Sequence, residues 1–181
     1  KATDAPAGLA DLALSANLVI AATSSNVAVG SSGVKSVRVE TEVSVSGTVR
    51  LQAESVSVSD SILSGGGANS RVTILADALQ VDSDVKANAG IISVDSNTAN
   101  RGIYLGGTTT SPLLSITADS LSNFYGEILR IGSAGTEDIY VGGDISINNV
   151  SKLSLRAAGD VRAVNNATIQ VANLAVFAGG V

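Results

Sequence analysis

Along most of this chain apolar and polar side chains alternate, in short runs closed by Gly, Asn, Ser or Asp. A period of two puts successive side chains on opposite faces of an extended backbone, so each run predicts a strand with one buried face. Val49, Leu51, Ala53, Val56 and Val58 form one such series, with Arg50 and Gln52 between its first three members. Val72, Ile74, Ala76, Leu79 and Val81 form a second at a constant offset from the first, with Thr73 between its first two. The match extends to Glu54 with Asp77 and to Ile62 with Val85. The offset is about 23 residues, a length that suits one coil of a solenoid. Leu114, Ile116, Ala118, Asp119 and Leu121 echo the register, and weaker copies start at Leu153 and Leu12. Leu129, Leu153 and Leu174 are each set apart by a similar interval. Further apolar pairs two apart are Ile103/Leu105, Ile139/Val141, Ile145/Ile147 and Ile169/Val171.

Short alternating strands between glycines also suit hairpins. A hairpin meander, however, has no need to repeat a side-chain register at a fixed offset. Stacked coils do, because each inward side chain rests on its counterpart one coil below. The pattern therefore predicts an all-β chain, a parallel β-helix (β-solenoid) of about 7–8 coils of roughly 20–26 residues, on the order of 35 Å long. Residues 1–181 are expected to form a single β-helix segment. Leu75 breaks the alternation and is placed at a corner or under a loop. Ala53, Ala76 and Ala118 mark bends with room for a small side chain only. Residues 9–22 fit strand spacing, although Leu9, Leu12, Ala16 and Ile20 also fit a helix. Gly65, Gly66 and Gly67 are expected in a loop between coils. The chain begins at Lys1, and no polar cap follows residues 174–178. The expectation is a fragment of a longer repetitive chain, or ends that stack head to tail.

Composition narrows the interior. There is no Cys, Met, Trp or His, and only three Tyr and two Phe, yet 45% of the residues are hydrophobic. A narrow aliphatic column suits such a chain better than a wide core filled by aromatics. Charged residues make up 15%, too few for a disordered chain of this hydropathy. The net charge of −5 argues against nucleic acid or an anionic membrane as the main partner. No apolar run approaches the roughly 18 residues of a membrane span. Without Cys there is no disulfide framework and no thiolate metal site, which suits a surface or secreted bacterial protein.

Candidate chemistry is sparse. Lacking His and Cys, the chain has no Ser-His-Asp or Cys-His arrangement and no His or Cys zinc ligand. Carboxylate pairs remain, with Asp82, Asp84, Glu137, Asp138 and Asp144 as candidates; turn caps and solvated positions are the plainer reading of these acids. Asp82 and Asp84 start an oxygen-rich stretch without the Gly and distal Glu of a calcium loop. Gly65, Gly66 and Gly67 lack the Lys-Ser/Thr of a phosphate loop. Asn149 and Asn166 head glycosylation triplets, but Asn148, Asn149, Asn165 and Asn166 equally suit coil turns. Tyr104, Phe124, Tyr125 and Tyr140 cluster modestly along the chain and are expected as a small stack or as cap packing. The sequence thus assigns no catalytic, cofactor-binding or metal-binding residue.

Residues 102–161 carry more. They contain Gly-Ile-Tyr-Leu-Gly-Gly from Gly102, Leu-Ser-Ile-Thr-Ala-Asp-Ser-Leu from Leu114, and Glu-Ile-Leu-Arg-Ile-Gly-Ser from Glu127. They continue with Asp-Ile-Tyr-Val-Gly-Gly-Asp-Ile-Ser-Ile from Asp138 and Leu-Ser-Leu-Arg-Ala-Ala-Gly-Asp-Val from Leu153. This succession resembles the repeat region of filamentous haemagglutinin-like bacterial exoproteins and adhesins, well over about a third of the chain and loosely elsewhere. The resemblance implies a right-handed parallel β-helix, secretion to the cell surface, and roles in adhesion, aggregation or biofilm. The Asn-rich secretion domain of that family is not evident in residues 1–40. The expected function is a structural or adhesive rod, with a carbohydrate-active β-helix as the alternative. Expected partners are neighbouring repeats, further copies, or cell-surface glycans or proteins.

Overall fold

The computed structural model describes residues 26–180, together with the strand backbone of Leu12–Leu14 and Ala21–Ala22. Every strand pairing among the described residues is parallel. The longest ladder stacks Val27, Val49, Val72, Ile92, Leu129, Leu153 and Leu174 in register. Beside it run Val29, Leu51, Ile74, Val94, Ile131, Leu155 and Val176. The chain is therefore a β-solenoid of about seven turns. Six steps of ~4.8 Å separate the first and last strands of this ladder by roughly 29 Å. The inner members of both columns are at most 1% exposed. No single coil buries these side chains; each is sealed by the coil on either side.

The sequence repeat is physical contact. Val49 pairs with Val72, Leu51 with Ile74, Val56 with Leu79, Val58 with Val81 and Ile62 with Val85. Ala53 and Ala76 sit fully buried at the bends, and their N–H groups donate to Leu75 O and Asp95 O in the coil above. Leu75 is half-buried in an outward row between Gln52 and Asp95. The glycine-rich loop closes one corner, with Gly67 at φ +63° opening a turn of 3-10 helix, Gly67–Asn69. The strands flanking it, Ile62–Ser64 and Arg71–Leu75, pair with the two halves of Val85–Asp95, so it joins two faces of one coil and, contrary to the expectation, does not lie between coils. Asn165 and Asn166 take the positive φ expected of turn asparagines.

Three further expectations need correction. The coil that runs from Ile92 to its register partner Leu129 is well beyond the expected length. The extra chain carries strands Ile103–Leu105 and Leu114–Ile116, which pair with each other. Leu114 is therefore not a third member of the Val49/Val72 ladder. Second, Ala118 is no strand bend, because Ala118–Ser122 is a helical turn. Thr117 caps it, its hydroxyl accepting from Ser120 N at 3.1 Å. The helix stands next to strand Ala78–Val81: Val81 N donates to Ser120 Oγ, and Asn123 Nδ2 donates to Val81 O. Leu121 still fills the core, fully buried. Third, Leu12–Leu14 pairs with Ser36–Val39, on a different face from Leu153. The rest of the helix-or-strand question over residues 9–22 lies outside the described residues.

Candidate functional site

Two of the acids singled out from the sequence, Asp138 and Asp144, bond across coils. Asp144 Oδ1 accepts from both Thr168 N and Thr168 Oγ1, at 2.9 and 2.7 Å. Asp77 does the same for Thr98, at 2.9 and 2.6 Å. Asn26 repeats the arrangement with Thr48. In each case an acceptor in one coil takes an orphan N–H and a hydroxyl from the next. The hydroxyl and N–H of Thr168 hold the Asp144 carboxyl below its ordinary range. A second device repeats at another corner, where Asn149 Nδ2 donates to Ser122 O and Asn173 Nδ2 to Ser151 O. The amide of the glycosylation candidate Asn149 is thus engaged with backbone.

Asp82 and Asp84 lie in the turn between strands Ala78–Val81 and Val85–Asp95. Asp82 accepts from Gln80 Nε2 at 2.7 Å, and Asp84 pairs with Lys86 at 2.7 Å. Glu137 and Asp138 precede strand Ile139–Val141, and Asp144 precedes Ile145–Ile147. Among the described residues no three acids group as a metal site would require.

The aromatics separate. Phe124 is fully buried, stacked on Val85. Tyr125 lies under the Lys86 ammonium, 5.1 Å from the ring centroid. Tyr104 and Tyr140 do meet, as register partners in successive coils, with Arg162 next in the row. They point outward from a face whose inward residues are Ile103, Leu105, Ile139 and Val141. Gly142 makes room for the Tyr104 ring: a Cβ there would lie 1.9 Å from its hydroxyl oxygen. The loop 106–113 returns the chain beside these rings. It opens at Gly106, φ +83°, where a Cβ would strike Gly143 O at 2.4 Å. Tyr104, Thr109, Ser111, Leu113, Tyr140 and Val164 line a cavity of about 390 Å³.

Charged groups connect to that cavity through Tyr140. Tyr140 Oη donates to Asp138 Oδ2 at 2.8 Å, and Asp160 N donates to Asp138 Oδ1 at 2.7 Å. Arg162 reaches Asp160 at 2.5 Å and Asp138 at 3.6 Å. The Asp160 N–H, the Tyr140 hydroxyl and the Arg162 charge hold Asp138 below the ordinary aspartate value of 3.8. The same tyrosine–carboxylate bond pushes the Tyr140 phenol above its usual 10.0.

A second recess was hidden in the sequence apart from the Glu54/Asp77 match. Ser32, Lys35, Glu54, Asp77, Thr98 and Arg101 border a polar groove of about 560 Å³ across successive coils. Lys35 pairs with Glu54, and Arg101 with Asp77 at 3.4 Å. Its charges are mutually satisfied, so it reads as a stabilised corner.

No family model matches the chain, and no curated protein or solved structure is significantly similar to it.

Proposed function

We propose that this chain is a structural and adhesive rod of a secreted or surface-bound bacterial filamentous protein, of the kind built from filamentous haemagglutinin-like repeats. The observation that supports it best is the pair of unbroken aliphatic columns through all seven coils. Such an interior is committed to packing and gives length and stiffness, leaving contacts to the outward faces. The last described coil holds Leu174 and Val176, each 48% exposed, as the next members of those columns. A further coil, from the same chain or another copy, would cover them. The extracellular setting and the role in adhesion, aggregation or matrix formation rest on the sequence resemblance over residues 102–161.

Electron microscopy of the purified chain at rising concentration, combined with adherence assays on cells lacking the parent protein, tests the reading. Rods that lengthen with concentration and a loss of adherence are the expected results. Short monodisperse particles at every concentration, with unchanged adherence, would sink it. Release of reducing ends from polysaccharides would replace it with the carbohydrate-active alternative.

A further inference from the structure

The net charge of −5 averages over faces that differ sharply. The outward rows of the long sheet carry Arg50, Arg71, Arg130, Lys152 and Arg156, all exposed. Arg50 and Arg130 share one row with Ala28, Thr73, Ser93, Ser154 and Ala175. Arg71 and Lys152 share the adjacent row with Ile91 and Ile128. The acids nearest these rows are turned to other partners. Asp95 accepts from Ser96 N and Thr136 Oγ1, and Glu127 accepts from Ser151 Oγ.

The contrast with the other faces is in the pairing. Lys35, Lys86, Arg101 and Arg162 each hold an acid, respectively Glu54, Asp84, Asp77 and Asp160. Arg38 is engaged as well. Among the described residues none of the five bases on the long sheet has an acid within ion-pair distance; Arg50 only donates to Gln52 Oε1 at 2.7 Å. Among the described residues, unpaired positive charge is thus confined to one face of the rod. It runs over four coil steps, roughly 19 Å. At one end Arg130, Ser154, Arg156 and Phe177 line a depression of about 330 Å³. Two guanidiniums, a hydroxyl and a ring 59% exposed make a seat for an anionic group on an apolar ring body.

We propose that this stripe binds a linear acidic polysaccharide, bearing carboxylate or sulfate groups, laid along the rod axis. The bases lie in three adjacent outward rows and extend over several coils, a footprint long enough for an extended polymer. Duplex nucleic acid presents a charge every ~1.7 Å and would meet strong repulsion from the acidic flanks. The exposed aromatic is a single phenylalanine, too few for a base-stacking track. The proposal deepens the rod reading above and rests on it for the setting in which such a polymer is met.

The test measures retention of the intact chain on immobilised carboxylated polysaccharide, sulfated polysaccharide and neutral dextran as salt rises. Retention on one or both acidic matrices and none on dextran is expected, and the stronger acidic arm identifies the group. R130Q/R156Q should weaken retention roughly tenfold and flatten its salt dependence, as should R71Q/K152Q. K35Q/K86Q removes the same formal charge from other faces and should stay within about twofold. Circular dichroism confirms that each variant is folded. Equal retention of stripe and control variants, or no retention of the parent chain at low salt, overturns the proposal. Stripe-dependent binding that is tighter to duplex DNA, or stripe-dependent self-association without polysaccharide retention, also overturns it. If the stripe variants keep full polysaccharide retention while still forming rods and supporting adherence, this proposal fails and the rod reading stands.

Discussion

Truncating Ile74 tests the stacked-column account of stability most directly. Ile74 is fully buried between Leu51 below and Val94 above. Ile74→Ala removes three carbons, which at ~0.8 kcal/mol per buried methylene is about 2.4 kcal/mol of lost transfer energy. Neighbours held in a strand ladder collapse poorly, so a cavity contribution raises the expected loss to about 3–4 kcal/mol. Thr73 in the same strand faces outward between Arg50 and Ser93, and Thr73→Ala should change stability by no more than ~0.5 kcal/mol. In a nearest-neighbour stack the loss falls on the two interfaces that Ile74 shares. Urea unfolding should therefore show a lower midpoint, and amide exchange should speed up in Thr48–Gln52, Arg71–Leu75 and 91–95 before Val150–Ala157. A loss under ~1 kcal/mol for Ile74→Ala, or an equal loss for Thr73→Ala, would refute the column as the source of stability.

Four other outcomes follow from the corners and the tyrosine face. Asp138 and Asp144 have depressed folded pKa values, so their contribution is present above the unfolded value near 3.8 and lost as pH falls through the lower folded values. An acid titration followed by circular dichroism should thus lose stability below pH 3.8, with a shallower slope in D138N and D144N. Tyr140 has a raised folded pKa, so its contribution is complete below 10.0 and lost as pH rises through the folded value. The tyrosinate absorbance difference between the parent chain and Y140F should accordingly have its midpoint above 10.0, and D138N should bring it down. Asn149→Ala removes the bond to Ser122 O and should cost about 1 kcal/mol in urea unfolding; no loss would mean that this corner contact contributes nothing. Gly142→Ala drives a methyl into the Tyr104 ring, so its cost should shrink in a Y104A background, and strict additivity would exclude that contact.

The coil repeat is written in the order of the residues. An inward side chain must match the one it rests on, and that demand recurs at a nearly constant offset, so Val49/Val72 and Leu51/Ile74 were legible as repeats before they were contacts. The polar staples were half legible. Asp144 and Asn149 read as turn residues, but their partners Thr168 and Ser122 became visible only with the coils stacked. The strands at Ile103–Leu105 and Leu114–Ile116 were legible, but their mutual pairing and the helix at Ala118–Ser122 were not, because Leu114, Ile116 and Leu121 satisfy the same apolar spacing in either arrangement. The long coil between Ile92 and Leu129 in turn set the separation of Tyr104 and Tyr140, which no constant period could have paired. The basic stripe belongs wholly to the tertiary structure. Arg50, Arg71, Arg130 and Lys152 fall at unequal intervals along the chain, and no composition or net charge distinguishes them from the paired bases. Only stacking brings them to one face, because outward positions are under no demand to match and leave no periodic trace in the chain.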